Sequence, residues 1–145
     1  MKRKNLASLQ NFFAAELAGL IKGELRRGES YAVTFAPRAK KSVREYGFDQ
    51  AELLARGVAK ALELPLCEVF GRETGANTQQ KTLDAKGREE NAREAFFIYS
   101  ESELAGKAVV IIDDVTTTGS TAGRLCTLAL EAGASRIIFV SVAKT

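Results

Sequence analysis

A continuous apolar run, Lys107–Asp113 (KAVVIID), leads through a glycine-bearing turn into a helix-patterned segment, Gly119–Ala132, and then a second apolar run, Arg136–Val142 (RIIFVSV). Strands without polar alternation need cover on both faces, and a helix joining two of them makes a βαβ unit whose strands run parallel. The pattern predicts an α/β fold with a mostly parallel central sheet flanked by helices on both faces. With 145 residues, 46% of them hydrophobic and 27% charged, the chain reads as one globular domain.

The remaining segments fit that plan. Leu6, Leu9, Phe13, Leu17, Leu20 and Ile21 recur at helical spacing, predicting an amino-terminal helix within residues 1–28 that runs to about Arg27 and stops at Gly28. The core, 31–145, opens on a strand, Tyr31–Ala36, ended by Pro37 and followed by a basic loop with Arg38, Lys40, Lys41 and Arg44. Asp49, with Glu52 three positions on, caps a second helix that faces inward through Ala51, Leu54, Ala55, Val58, Ala61 and Leu62 and ends before Pro65. A strand at Leu66–Phe70, a polar loop from Arg72 to Lys81, a short helix around Asp84–Arg93 and a strand at Ala95–Tyr99 complete the reading.

Composition removes several chemistries. The chain has no histidine, and its two cysteines, Cys67 and Cys126, show no Cys-x-x-Cys spacing, which excludes zinc fingers and Ser-His or Cys-His catalysis. The uncharged stretch Asn5–Ala15 is too short to cross a bilayer and lacks a signal-peptide pattern, so a cytoplasmic protein with no membrane contact is expected. A net charge of +3 suits an anionic small molecule as well as it suits nucleic acid. Phe12 and Phe13 serve either the core or a homodimer surface.

The chemistry concentrates in the segment from Val109 to Thr121. Asp113 and Asp114 close a buried strand at its carboxyl end, where α/β sheets bind ligands. Two acids after a strand are ordinarily a solvated turn. Here Thr116, Thr117, Thr118, Ser120 and Thr121 surround Gly119, and one hydroxyl would suffice to cap a helix. Redundant hydroxyls, backbone N–H groups and the positive helix end together make a phosphate cradle. An acid pair that accepts from vicinal hydroxyls, beside a phosphate cradle, spells a phosphorylated pentose.

This stretch resembles the fingerprint of type I phosphoribosyltransferases: four apolar residues, two acids, two apolar residues, then small hydroxyl residues around a glycine. It departs at Thr116, where the family keeps an aliphatic residue. The resemblance implies binding of 5-phosphoribosyl 1-pyrophosphate (PRPP) with Mg2+. Thr116, Thr117, Thr118, Gly119, Ser120 and Thr121 would form the phosphate turn, with the 5-phosphate at Thr117 to Thr121. Asp113 and Asp114 would meet the ribose hydroxyls and the metal as the catalytic pair. Arg38, Ala39, Lys40 and Lys41 would meet pyrophosphate, and Arg72–Lys81 would be the lid.

A narrower resemblance covers residues 31 to the end. Tyr46-Gly47-Phe48-Asp49-Gln50-Ala51-Glu52-Leu53-Leu54-Ala55-Arg56 is similar to the Arg-Gly-Phe-Asn-Gln-Ala-x-Leu-Leu-Ala pattern of ComF-type proteins, the branch linked to bacterial DNA uptake. Gln80, Leu83, Arg88, Asn91, Ala95 and Phe96 keep the spacing of a second pattern of that branch. Tyr46 and Asp49 are substitutions, Phe35-Ala36-Pro37 stands for the family's Pro-x-Pro, and the amino-terminal zinc-finger cysteines are missing. The implied activity is attack of a nitrogen nucleophile on ribose with release of pyrophosphate. Thr117 stands where hypoxanthine enzymes keep an aspartate base, which speaks against hypoxanthine or guanine and leaves the acceptor otherwise open. The alternative is a non-catalytic PRPP-binding accessory protein of competence, working with single-stranded DNA or other competence proteins.

Overall fold

The computed structural model describes residues 2–38, 43–45, 47–73, 96–116 and 119–144. Its elements are helix α1 (Lys2–Lys22), strand β1 (Tyr31–Phe35), helix α2 (Gln50–Leu62), strands β2 (Phe70–Arg72), β3 (Phe96–Ile98) and β4 (Ala108–Thr116), helix α3 (Ser120–Glu131) and strand β5 (Arg136–Lys144). Strands β1, β4 and β5 form a parallel sheet in that order, while β2 and β3 pair antiparallel beside it.

Strand alternation sorts the core into two layers. Tyr31, Val33, Phe35, Ala108, Val110 and Ile112 face α1 and α2, where Leu17, Ile21, Leu54 and Val58 meet them. Ala32, Val109 and Ile111 face the other way, onto Leu125 and Ala129 of α3 and onto Phe70 and Phe96 of the β2–β3 pair. Both faces of the sheet are therefore covered by helices, as the unalternating apolar runs predict. At the amino ends of the strands, Arg136 donates to Glu29 and to the Tyr31 hydroxyl, joining β5 to the start of β1. Among the described residues no helix is long and apolar enough to cross a membrane.

Several boundaries differ from the sequence reading. Helix α1 ends at Lys22 rather than Arg27: Gly23 follows, the Glu24 and Leu25 amides turn back to the Ile21 and Lys22 carbonyls, and Gly28 (φ 78°) serves the turn before β1. The strand expected at Leu66–Phe70 splits in two. Leu66 makes one parallel bridge to Val33, after which the chain leaves β1 and pairs from Phe70 with Phe96–Ile98. Ala59 replaces Ala61 on the buried face of α2. Strands β4 and β5 run to Thr116 and Lys144, because Val115 pairs Ala143 and Thr116 pairs Lys144 beyond the apolar runs. The helix expected at Asp84–Arg93, Gln80, Ala95 and residues 74–81 of the loop lie outside the described residues.

Helices α1 and α2 meet at a position without a side chain, Gly57. A Cβ on Gly57 would lie 2.7 Å from the Ala14 Cβ, and a methyl group on a rigid backbone cannot rotate aside. Gly57→Ala should therefore destabilise by about 1–2 kcal/mol, the overpacking cost exceeding the roughly 1 kcal/mol gain in helix propensity. Urea denaturation should show the loss, and Ala14→Gly in the same chain should recover most of it.

Candidate functional site

Strand β4 delivers Asp113 and Asp114 to the sheet end, inside the strand rather than after it. Pairing of Asp113 with Ser141 and of Val115 with Ala143 fixes that segment against β5. Alternation alone would turn adjacent side chains to opposite faces. Here the two stay in touch: the Asp114 amide donates to Asp113 Oδ1 at 2.8 Å.

Their electrostatics diverge. Burial, followed by the hydrogen bond and negative charge of Asp114, pushes the Asp113 carboxyl up to about 7. Burial also acts against the Asp114 charge, but the Val115 amide at 2.8 Å, the Asp113 carboxyl and the Arg38 guanidinium outweigh it and hold Asp114 below the ordinary carboxylate value. Asp113 thus holds a proton more tightly than Asp114 does.

Arg38 reaches this pair from the loop after β1. Its Nη2 donates to Asp114 Oδ2 and, at 3.3 Å, to Gln50 Oε1. Its backbone N–H donates to Asp49 Oδ2 at 3.1 Å, while Asp49 Oδ1 caps α2 by accepting from Ala51 and Glu52. One buried carboxylate thus starts a helix and ties down the cationic loop. The sequence reading assigned Asp49 only the cap and gave Gln50 no role of its own. The signal lay in the Gly-Phe-Asp-Gln segment, whose pairing with Arg38 is a tertiary contact invisible to local pattern.

Past the acids, Gly119 (φ 78°) begins α3 in a left-handed conformation, with Ser120 and Thr121 in the first turn. Helix starts leave amide N–H groups facing outward, the requirement of an anion receptor. Gly119 and Ser120 are exposed. Thr116 is the last residue of β4, its backbone paired with Lys144, while Ala39, Lys40, Thr117 and Thr118 lie outside the described residues. The structure therefore joins Arg38, Asp113 and Asp114 by contact and sets Gly119, Ser120 and Thr121 at the next helix. It differs from the sequence expectation in one respect: Asp114 is engaged by Arg38, so a sugar would have to displace a cation.

The donors present suit a magnesium ion carried by a phosphorylated substrate better than a resident one. Asp113 and Asp114 offer hard carboxylate oxygens, and among the described residues no third acid, cysteine or histidine completes a cluster.

The family model described as the phosphoribosyl transferase domain matches residues 49–145, which include α2, the acid pair and the start of α3. The chain belongs to that family. This phosphoribosyl transferase domain is 32% identical over 92 residues to Competence protein F of Haemophilus influenzae, covering 63% of the chain and 40% of that protein. It is 34% identical over 91 residues to DNA utilization protein YhgH of Escherichia coli, covering 39% of that protein. The domain thus spans about two fifths of the length of these relatives. They bear out the resemblance to the ComF-type branch. Among solved structures, a hypoxanthine-guanine phosphoribosyltransferase of Bacillus anthracis superposes with a TM-score of 0.63 over 94% of the chain and 68% of its own, at 14% identity. A glutamine PRPP amidotransferase of Bacillus subtilis gives 0.61 over 91% of the chain and 25% of its own, at 22% identity. These likenesses show the fold.

The split between the two acids has a stability consequence. Asp113 titrates near its ordinary 3.8 when unfolded and near 7 when folded, so the folded state binds the extra proton and stability falls as pH rises from about 4 to about 7. In full that difference would be worth about 4 kcal/mol, and screening at the open strand end reduces it to about 2 kcal/mol. Asp113→Asn should therefore be about 2 kcal/mol more stable than wild type at pH 8 and nearly equal at pH 4 in denaturation curves. Asp114 slopes the other way, losing stability as pH falls below the ordinary carboxylate range.

Proposed function

We propose that this phosphoribosyl transferase domain binds PRPP together with Mg2+ and transfers its phosphoribosyl group to a nitrogen nucleophile, releasing pyrophosphate. The observation that carries the reading is the cluster of Arg38, Asp113 and Asp114 at the carboxyl end of β4, immediately ahead of the α3 amino terminus. A cation, an acid pair and an anion-receiving turn match, in that order, a pyrophosphate, a ribose and a 5-phosphate.

In this reading the turn from Thr117 to Thr121 receives the 5-phosphate. Asp114 accepts from one ribose hydroxyl, and Asp113 supports the second one. Arg38 exchanges Asp114 for the pyrophosphate, with Lys40 and the Ala39 amide beside it. The nitrogen lone pair forms the new bond to the anomeric carbon as the bond to pyrophosphate oxygen breaks. Pyrophosphate keeps that electron pair, and the nitrogen sheds its surplus proton to solvent. Mg2+ arriving with the substrate would supply neutralisation of the leaving group, and Asp113 and Asp114 are the residues that would help hold it. The protein's work is orientation and preorganised charge.

A second reading, a non-catalytic PRPP-binding accessory in competence or DNA use, draws on what the relatives are named for and on Thr117, which cannot act as a base. Calorimetric titration with Mg-PRPP, followed by pyrophosphate-release assays against a panel of bases and amines, separates the two. Binding with release supports transfer, binding without release against any acceptor supports the accessory role, and absence of binding rejects both.

A further inference from the structure

Helix α3 carries two charged residues, Arg124 and Glu131. Arg124 stands in its second turn, half-buried, and its Nε is buried with no hydrogen-bond partner among the described residues. An unpaired buried donor on a charged group costs more than one on a neutral group, so a fold that keeps it needs a reason. No acid stands in the first turn of α3 to complete it. Long side chains on a helix lie back over the turn on their amino-terminal side, which sets Arg124 over Ser120 and Thr121, four and three positions before it. Four positions rise about 6 Å, a distance that an extended arginine spans. A cation leaning that way meets outward-facing N–H groups and the positive end of the helix, where its charge is disfavoured. An anion at the start of α3 would relieve both costs at once.

We propose that Arg124 donates to the phosphate seated at the start of α3 and makes that end of the site selective for a doubly charged phosphate monoester. The inference rests on the PRPP reading above and adds to it a residue outside the Thr117–Thr121 turn. Amides and hydroxyls carry no net charge, so a turn built from them alone accepts singly and doubly charged oxyanions on similar terms. A guanidinium beside them supplies a full positive charge and paired donors for two phosphate oxygens. Arg38, on the loop after β1, then serves the pyrophosphate end and Arg124 the sugar-phosphate end. The two cations are separable by experiment.

Calorimetry on the full chain with two probes, ribose 5-phosphate and magnesium pyrophosphate, makes the test. Arg124→Gln and Arg124→Met should each weaken ribose 5-phosphate roughly tenfold or more, while pyrophosphate stays within about twofold. Arg124→Lys, which keeps the charge, should recover part of the loss. In thermal scans without ligand, Arg124→Gln and Arg124→Met should melt no lower than wild type, because each removes an unpaired charged donor. Ribose 5-phosphate should raise the melting temperature of wild type more than that of either variant. Unchanged ribose 5-phosphate affinity in both variants, or an equal loss for pyrophosphate, overturns the inference. So does a ligand-free melting temperature lowered by several degrees in both, which would make Arg124 structural. Should Arg124→Met alone fail to fold, the affinities of Arg124→Gln and Arg124→Lys decide. If wild type binds neither probe, the PRPP reading itself falls; if wild type binds both and the variants match it, only the role of Arg124 does.

Discussion

Arg38→Ala is expected to weaken Mg-PRPP binding at least tenfold, because the pyrophosphate loses a charge-assisted hydrogen-bond donor. The fold should survive, because the Arg38 and Asp114 side chains are 29% and 14% exposed and a partly solvated pair of this kind contributes about 0–1 kcal/mol. Calorimetry should thus show a large loss of affinity and a thermal scan little change. Arg38→Lys should recover only part of the affinity, since an ammonium cannot offer pyrophosphate the paired, coplanar donors of a guanidinium. Equal loss of affinity and stability would mean that Arg38 is structural.

The second large effect is expected at Asp49. Asp49→Ala removes the α2 cap, worth about 0.5–2 kcal/mol, and strips the Arg38 N–H of its acceptor, worth about 1 kcal/mol more. A combined loss of roughly 2–3 kcal/mol should accompany at least a tenfold fall in PRPP affinity, because the loop bearing Arg38 loses its anchor. Asp49→Asn divides these roles. Its single carbonyl oxygen can keep the cap while the amide nitrogen cannot accept from Arg38, so stability should hold within about 1 kcal/mol and affinity should still fall.

The parts of the fold that depend on local pattern were legible beforehand. The β4-α3-β5 unit follows from two apolar runs around a helical segment, and Asp49 announces α2 through its spacing to Glu52. What depends on partners was not. Thr116 and Lys144 look like loop residues in sequence, and only the register of β4 against β5 makes them strand. Leu66–Phe70 has strand composition throughout, yet the hydrogen bonds of Val33 to Pro65 and Cys67 hold only its first part to β1, and Val69 turns to Tyr99 instead. Asp113 and Asp114 were visible as a pair, but their opposite proton affinities arise from burial and from Arg38, seventy-six positions from Asp114 in sequence. Gln50 gains its meaning from that same cation.

The structure of the protein with Mg-PRPP bound tests the central claim most directly. The account expects the 5-phosphate on the amides and hydroxyls of Thr117 to Thr121, the ribose hydroxyls on Asp113 and Asp114, and Arg38 turned from Asp114 to the pyrophosphate. A complex in which Arg38 keeps Asp114 while the ligand sits away from the α3 amino terminus would contradict it.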